Sequence, residues 1–65
     1  MIVTVNRHAR DIPDNTTLAD LILTVKPTNP FAVAINLQFV PNARYAQTLL
    51  HPGDSVEIIR PVTGG

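Results

Sequence analysis

The sequence contains no cysteine. Disulfides, thiolate zinc sites and thiol nucleophiles are excluded together, and a reducing compartment is compatible with what remains. Glycine is scarce as well. Of the three, Gly53 stands in an expected turn and Gly64 and Gly65 are the last two residues, so neither a phosphate-binding loop nor a dinucleotide fingerprint can be written anywhere. The single serine, Ser55, opens an expected strand and has no G-x-S-x-G elbow around it, which argues against a serine hydrolase.

Neither sign of charge is in excess: five Lys and Arg face five Asp and Glu, for a net charge of +0 with histidine neutral. A chain that binds a phosphate backbone needs a cationic surplus, and only Phe31, Phe39 and Tyr45 could stack on bases, so no nucleic acid is expected. No apolar run approaches the ~20 residues of a membrane span, and no basic stretch precedes an apolar one at the N-terminus. A cytoplasmic protein without membrane contact is the expectation. His8 and His51 each lie three residues from an aspartate, Asp11 and Asp54, but lie far from each other. That spacing gives no metal site. Asp11 and Asp14, on either side of Pro13 at an exposed turn, do not form an acid/base pair.

What is present is enough for one small core. The 65 residues are 45% hydrophobic and 15% charged, too apolar for a disordered tail and too short for a second domain, so residues 1–65 are read as a single domain. Most enzyme architectures are excluded by size. A domain with so little core is expected to work bound to something larger.

Local patterning sets the order of elements. Met1 to Val5 and His8 to Ile12 read as two strands joined by a turn at Asn6-Arg7, with Met1, Val3 and Val5 on one face. Pro13-Asp14-Asn15 breaks the second strand, and Thr17 with Asp20 three residues on forms a capping-box signature. Leu18, Leu21, Ile22 and Val25 then follow at helical spacing and make one apolar stripe. Pro27 and Pro30 enforce a loop. Phe31 to Ile35 is a β-compatible run suited to burial on both faces, and Asn36-Leu37 turns it into a short strand, Gln38 to Val40. Ala43 to Leu50 reads as an ordered loop in preference to a helical turn. His51-Pro52-Gly53-Asp54 is a type II turn, and Ser55 to Arg60 is the last strand.

Strand, strand, helix, strand, short strand, loop, strand is the order of an α+β, ubiquitin-like β-grasp fold: a mixed sheet of four or five strands on one helix. Another small α+β sandwich is the alternative. The helical stripe would bury against Val3, Val5, Val33, Ile35, Val56 and Ile58.

The C-terminal segment Pro61-Val62-Thr63-Gly64-Gly65 carries the chemistry. Proline at 61 cannot donate to a ladder, so residues 61–65 are expected to leave the sheet as a flexible tail. Two glycines without side chains let a terminal carboxylate enter a narrow tunnel and approach a nucleotide without a clash. A carboxylate has no usable leaving group and must be activated before a sulfur or nitrogen nucleophile attacks, which points to adenylation by a partner. A frayed tail without function is the competing reading.

Together, strand order and tail resemble the ubiquitin-like sulfur carriers, and among them the ThiS family of thiamine biosynthesis. The similarity covers the whole chain. Thr17-Leu18-Ala19-Asp20-Leu21-Ile22 resembles the family's helix start, and Val33-Ala34-Ile35-Asn36 with Phe39-Val40-Pro41 resembles its V-A-[VI]-N…[IF]-V-P segment. Tyr45 stands at the aromatic position that follows, and Gly53-Asp54-Ser55-Val56-Glu57-Ile58-Ile59 is similar to its last strand. Two departures are Asn6-Arg7 in place of Asn-Gly and Val40-Pro41-Asn42 in place of V-P-R.

The resemblance implies a cosubstrate rather than an enzyme. An E1-like adenylyltransferase of the ThiF type would use ATP to adenylate the Gly65 carboxylate beside Gly64. Sulfur from a cysteine desulfurase pathway would then give a C-terminal thiocarboxylate, a 1-thioglycine, for a thiazole synthase of the ThiG type. No cofactor would be bound by the carrier itself. Strand parity adds a partner surface: with Val56 and Ile58 inward, Ile59 is apolar on the outer face beside the exit of the tail, and Phe39 joins it. Arg60 and Val62 are further residues expected to meet a partner. The competing reading is that Phe39 and Ile59 cover Tyr45 and Leu49. Three functional alternatives stay open: the small subunit of molybdopterin synthase, usually longer and without the compact first hairpin; a ubiquitin-like protein modifier, which Lys26 as sole lysine disfavours; and a plain interaction domain.

Overall fold

A computed structural model describes residues 1–60. Val62, Gly64 and Gly65 fall outside the described residues, as does the expected departure of residues 61–65 from the sheet.

Five strands form one mixed sheet: β1 (Ile2–Val5), β2 (His8–Asp11), β3 (Ala32–Ile35), β4 (Gln38–Val40) and β5 (Ser55–Ile59). Their order across it is β2-β1-β5-β3-β4. Only β1 and β5 run parallel; the other three pairings are antiparallel. The first and last strands thus lie side by side at the centre, with a hairpin on each flank. This is the β-grasp arrangement expected from the order of elements.

Helix α1 (Leu18–Val25) begins at the capping box legible in the sequence. The Thr17 hydroxyl accepts from the Asp20 backbone amide at 3.2 Å, and the Asp20 carboxylate accepts from the Thr17 amide at 3.3 Å. Two amides without helical partners are thereby satisfied. Lys26 ends the helix in the left-handed region, φ 53°, its amide donating to the Ile22 carbonyl at 2.8 Å just ahead of Pro27.

The helix lays its stripe on one face of the sheet. Val3, Leu18, Leu21, Val33 and Val56 are buried there with Ile12 and Leu50, while Val5, Ile22, Val25, Ile35 and Ile58 pack around them. The expectation that β3 is buried on both faces is not met. Only Val33 is fully enclosed, since α1 covers one side of the sheet and Ala32 and Ala34 on the other side stay half-buried.

Residues 42–47 differ from the expected loop as well, forming a 3-10 helix (Asn42–Gln47). Its tertiary anchors are not encoded locally. The Leu18 amide donates to the Thr48 carbonyl at 2.8 Å and the Leu50 amide to the Thr16 carbonyl at 2.9 Å. Tyr45 turns inward and stacks on Phe31 with ring centroids 6.5 Å apart. The turn before β5 is as expected: Gly53 has φ +83°, and the Asp54 amide reaches the His51 carbonyl at 3.1 Å.

Candidate functional site: the outer sheet face and the end of β5

Pairing register places the outer-face residues without reference to their chemistry. Across β3, Ala34 lies opposite Phe39 of β4 on one side and Glu57 of β5 on the other, and Ala32 lies opposite Ile59. Because side chains alternate along a strand, Phe39, Ala34, Ala32, Glu57 and Ile59 share the face turned away from α1. Phe39 is 68% exposed and Ile59 50%, separated by the small side chains of β3. The exposed apolar side chains of Phe39 and Ile59 thus flank the small residues of β3, with Glu57 beside them on the same face.

The competing reading for these residues holds only in part. Leu49 lines a depression together with Phe39, yet is itself 43% exposed, and Tyr45 belongs to the opposite side of the sheet, packed into the core. Burial raises the Tyr45 phenol above its ordinary value of 10.0, which keeps it neutral. Neither residue is shielded by Phe39 or Ile59 to an extent that would explain those side chains.

Two asparagines hold β5 in place. Asn6 and Asn36 each open a two-residue hairpin turn with both central residues at positive φ: Asn6 at 49° with Arg7 at 70°, and Asn36 at 51° with Leu37 at 70°. This twist suits tight hairpins, and asparagine tolerates it better than other residues with a side chain. Both side chains then reach β5. Asn6 Oδ1 accepts from the Ile58 amide at 2.8 Å and Asn36 Oδ1 from the Ser55 amide at 3.0 Å. Asn36 Nδ2 also donates to Asp54 at 3.1 Å, and the Asp54 carboxylate accepts from the His51 amide at 2.8 Å. Asp54 is thus committed to closing the turn. Its contact with the His51 ring is a longer 3.8 Å.

Sequence reasoning named both turns but not these clamps. Their signal was available: asparagine at the same place in two hairpins whose neighbours in the sheet both lead to β5. Of the residues expected to meet a partner, the structure brings Phe39 and Ile59 to one face. Arg60 follows β5 directly and is exposed. Glu57, which strand alternation puts on the same side as Ile59 but which was not among the residues expected to meet a partner, lies opposite Ala34 on this face.

A model of the ThiS family matches residues 3–65. Curated proteins give no match. Among solved structures, the crystal structure of a thiamine biosynthesis protein (ThiS) from Geobacter metallireducens is similar over 100% of both chains, with a TM-score of 0.87 and 22% identity. The solution structure of a thiamine biosynthesis protein from the same organism has a TM-score of 0.77 and 23% identity, over 100% of this chain and 88% of that one. At such identities the two structures speak for the fold.

Proposed function

The chain belongs to the ThiS family, and from that premise we propose that it is a sulfur carrier of thiamine biosynthesis, loaded at the Gly65 carboxylate. The observation that carries the reading is that the family match runs through Gly64 and Gly65. The cytoplasm is the proposed setting. Among the described residues no helix is long and apolar enough to cross a membrane.

Loading proceeds in balanced steps. A Gly65 carboxylate oxygen attacks the α-phosphorus of ATP in the active site of a ThiF-type adenylyltransferase, and pyrophosphate leaves. The resulting acyl-adenylate has AMP as a leaving group. The terminal sulfur of a persulfide, supplied by a cysteine desulfurase pathway, attacks the acyl carbon and expels AMP. A thiol then cleaves the acyl disulfide, leaving the thiocarboxylate on the carrier and a disulfide on the donor side. A ThiG-type thiazole synthase receives the sulfur.

The carrier's own contribution is positional. Its sheet presents Phe39 and Ile59 to a partner, and β5 ends at Ile59 on that same face. The reacting residue and the one before it are both glycine, so no Cβ limits the approach of the Gly65 carbonyl to the nucleotide. The carrier acts as cosubstrate; activation belongs to the partner.

The test is the intact mass of the protein isolated from its own cells, grown with and without thiamine. A species heavier by one oxygen-to-sulfur exchange, rising on thiamine starvation and lost when Gly65 is deleted, is the expected result. Exchange indifferent to thiamine would move the carrier to molybdopterin synthesis, and absence of exchange under both conditions would overturn the reading.

A further inference from the structure

The overall charge balance conceals an uneven arrangement. A groove of about 460 Å³ lies where the C-terminal ends of β1, β5 and α1 meet the start of β2. Among the described residues, Arg10, Lys26 and Arg60 line it together with His8, and no carboxylate does. Among the described residues these three cations have no carboxylate within 4.0 Å; the ion pairs found are those of the Met1 amine with Asp11 and Asp14 and of His51 with Asp54. Three of the five acids, Asp11, Asp14 and Asp20, gather instead along a second groove near the start of α1, which Arg10 also borders.

Chain length limits how far the cationic groove can lie from the reaction centre during loading. Five residues separate Arg60 from the end of the sequence, and an extended chain covers at most ~3.3–3.6 Å per residue, about 17 Å in all. A carboxylate held at a buried nucleotide therefore keeps Arg60 within that distance of the reaction centre. Arg60, and with it the groove it shares with Lys26 and Arg10, thus stands near the mouth of the partner's entry. Unpaired cations at that position would be desolvated at a cost unless they met negative charge.

We propose that this groove docks on an acidic rim, Asp and Glu side chains ringing the tail entry of the adenylating partner, and that the cations steer and orient the encounter. The inference rests on the sulfur-carrier reading and adds to it a recognition surface distinct from the outer face that carries Phe39 and Ile59. Opposite charge across a rim accelerates association and sets orientation more than it adds to chemistry, and it is screened over the ~8–10 Å Debye length of physiological salt.

The experiment is carrier-dependent ATP–pyrophosphate exchange by the ThiF-type adenylyltransferase of the same cells, with full-length wild type, Lys26→Glu, Arg60→Glu and Arg44→Glu. Arg44 lies on the 3-10 helix, away from the groove, and serves as the control for net charge. Lys26→Glu and Arg60→Glu should each raise KM for the carrier by about 10-fold at low salt with kcat retained, the gap closing at high salt, while Arg44→Glu tracks wild type. Thermal unfolding checks the variants' fold, and Lys26→Gln and Arg60→Gln, expected to give smaller KM increases of the same kind, replace any that is unfolded. A KM unchanged in the groove variants, raised equally in Arg44→Glu, or raised independently of salt overturns the acidic rim while leaving the carrier reading intact. Failure of wild type itself to support exchange overturns both.

Discussion

Along β5, Val56 is fully buried and Ile59, three residues later, is half exposed. Both are branched aliphatics in one continuous strand, so residue type alone does not separate them. The difference lies in what covers each face. Helix α1 lies on the side to which Val3, Val33 and Val56 point, whereas the described residues place no second layer over Ala32, Ala34, Phe39 and Ile59. In a domain with one helix, half the sheet is left over, and apolar residues there are available for a partner.

Four substitutions test that contrast, in order of falling effect on stability. Leu21 is 1% exposed in the inner layer, and Leu21→Ala should cost about 2–5 kcal/mol in urea unfolding, enough to leave a domain of this size largely unfolded. Asn36→Ala removes the clamp at the border of the two faces and leaves a non-glycine residue without local support at φ 51°; a loss of about 1–3 kcal/mol is expected. Phe39→Ser on the outer face should shift stability by no more than about 0.5 kcal/mol. The same change should raise KM for the adenylating partner about 10-fold, and a large stability loss instead would mean that the outer face belongs to the core.

The smallest effect is alkaline. Burial raises the folded-state pKa of Tyr45 above its ordinary 10.0, so its contribution is fully present below that pH and is lost as pH rises through the folded value. Stability should therefore decline from about pH 10 upward, with a shallower decline in Tyr45→Phe measured over the same range.

Much of the inner face was legible without coordinates. The capping box at Thr17 and Asp20, the stripe of Leu18, Leu21, Ile22 and Val25, and the Pro52-Gly53 turn are all local patterns, and each is realised by bonds within a few residues. Helix 3-10 at Asn42–Gln47 was not legible because its surroundings are fixed by partners near residue 17, about thirty positions away. The candidate site divides in the same way. Parity along β5 placed Ile59 outward, and the pairing Ala34 to Phe39 was needed to put Phe39 on the same surface.

By itself the sequence determined the strands, the α-helix and their order, and it supplied the Gly64-Gly65 pair on which the proposed chemistry depends, because turns, caps and amphipathic periods are short-range consequences of residue type. Tertiary structure decided which apolar residues stay outside, how two distant asparagines converge on β5, and how Arg10, Lys26 and Arg60 come to line one groove. Those outcomes depend on the parallel pairing of the first and last strands, a contact between residues some fifty positions apart that no local pattern specifies.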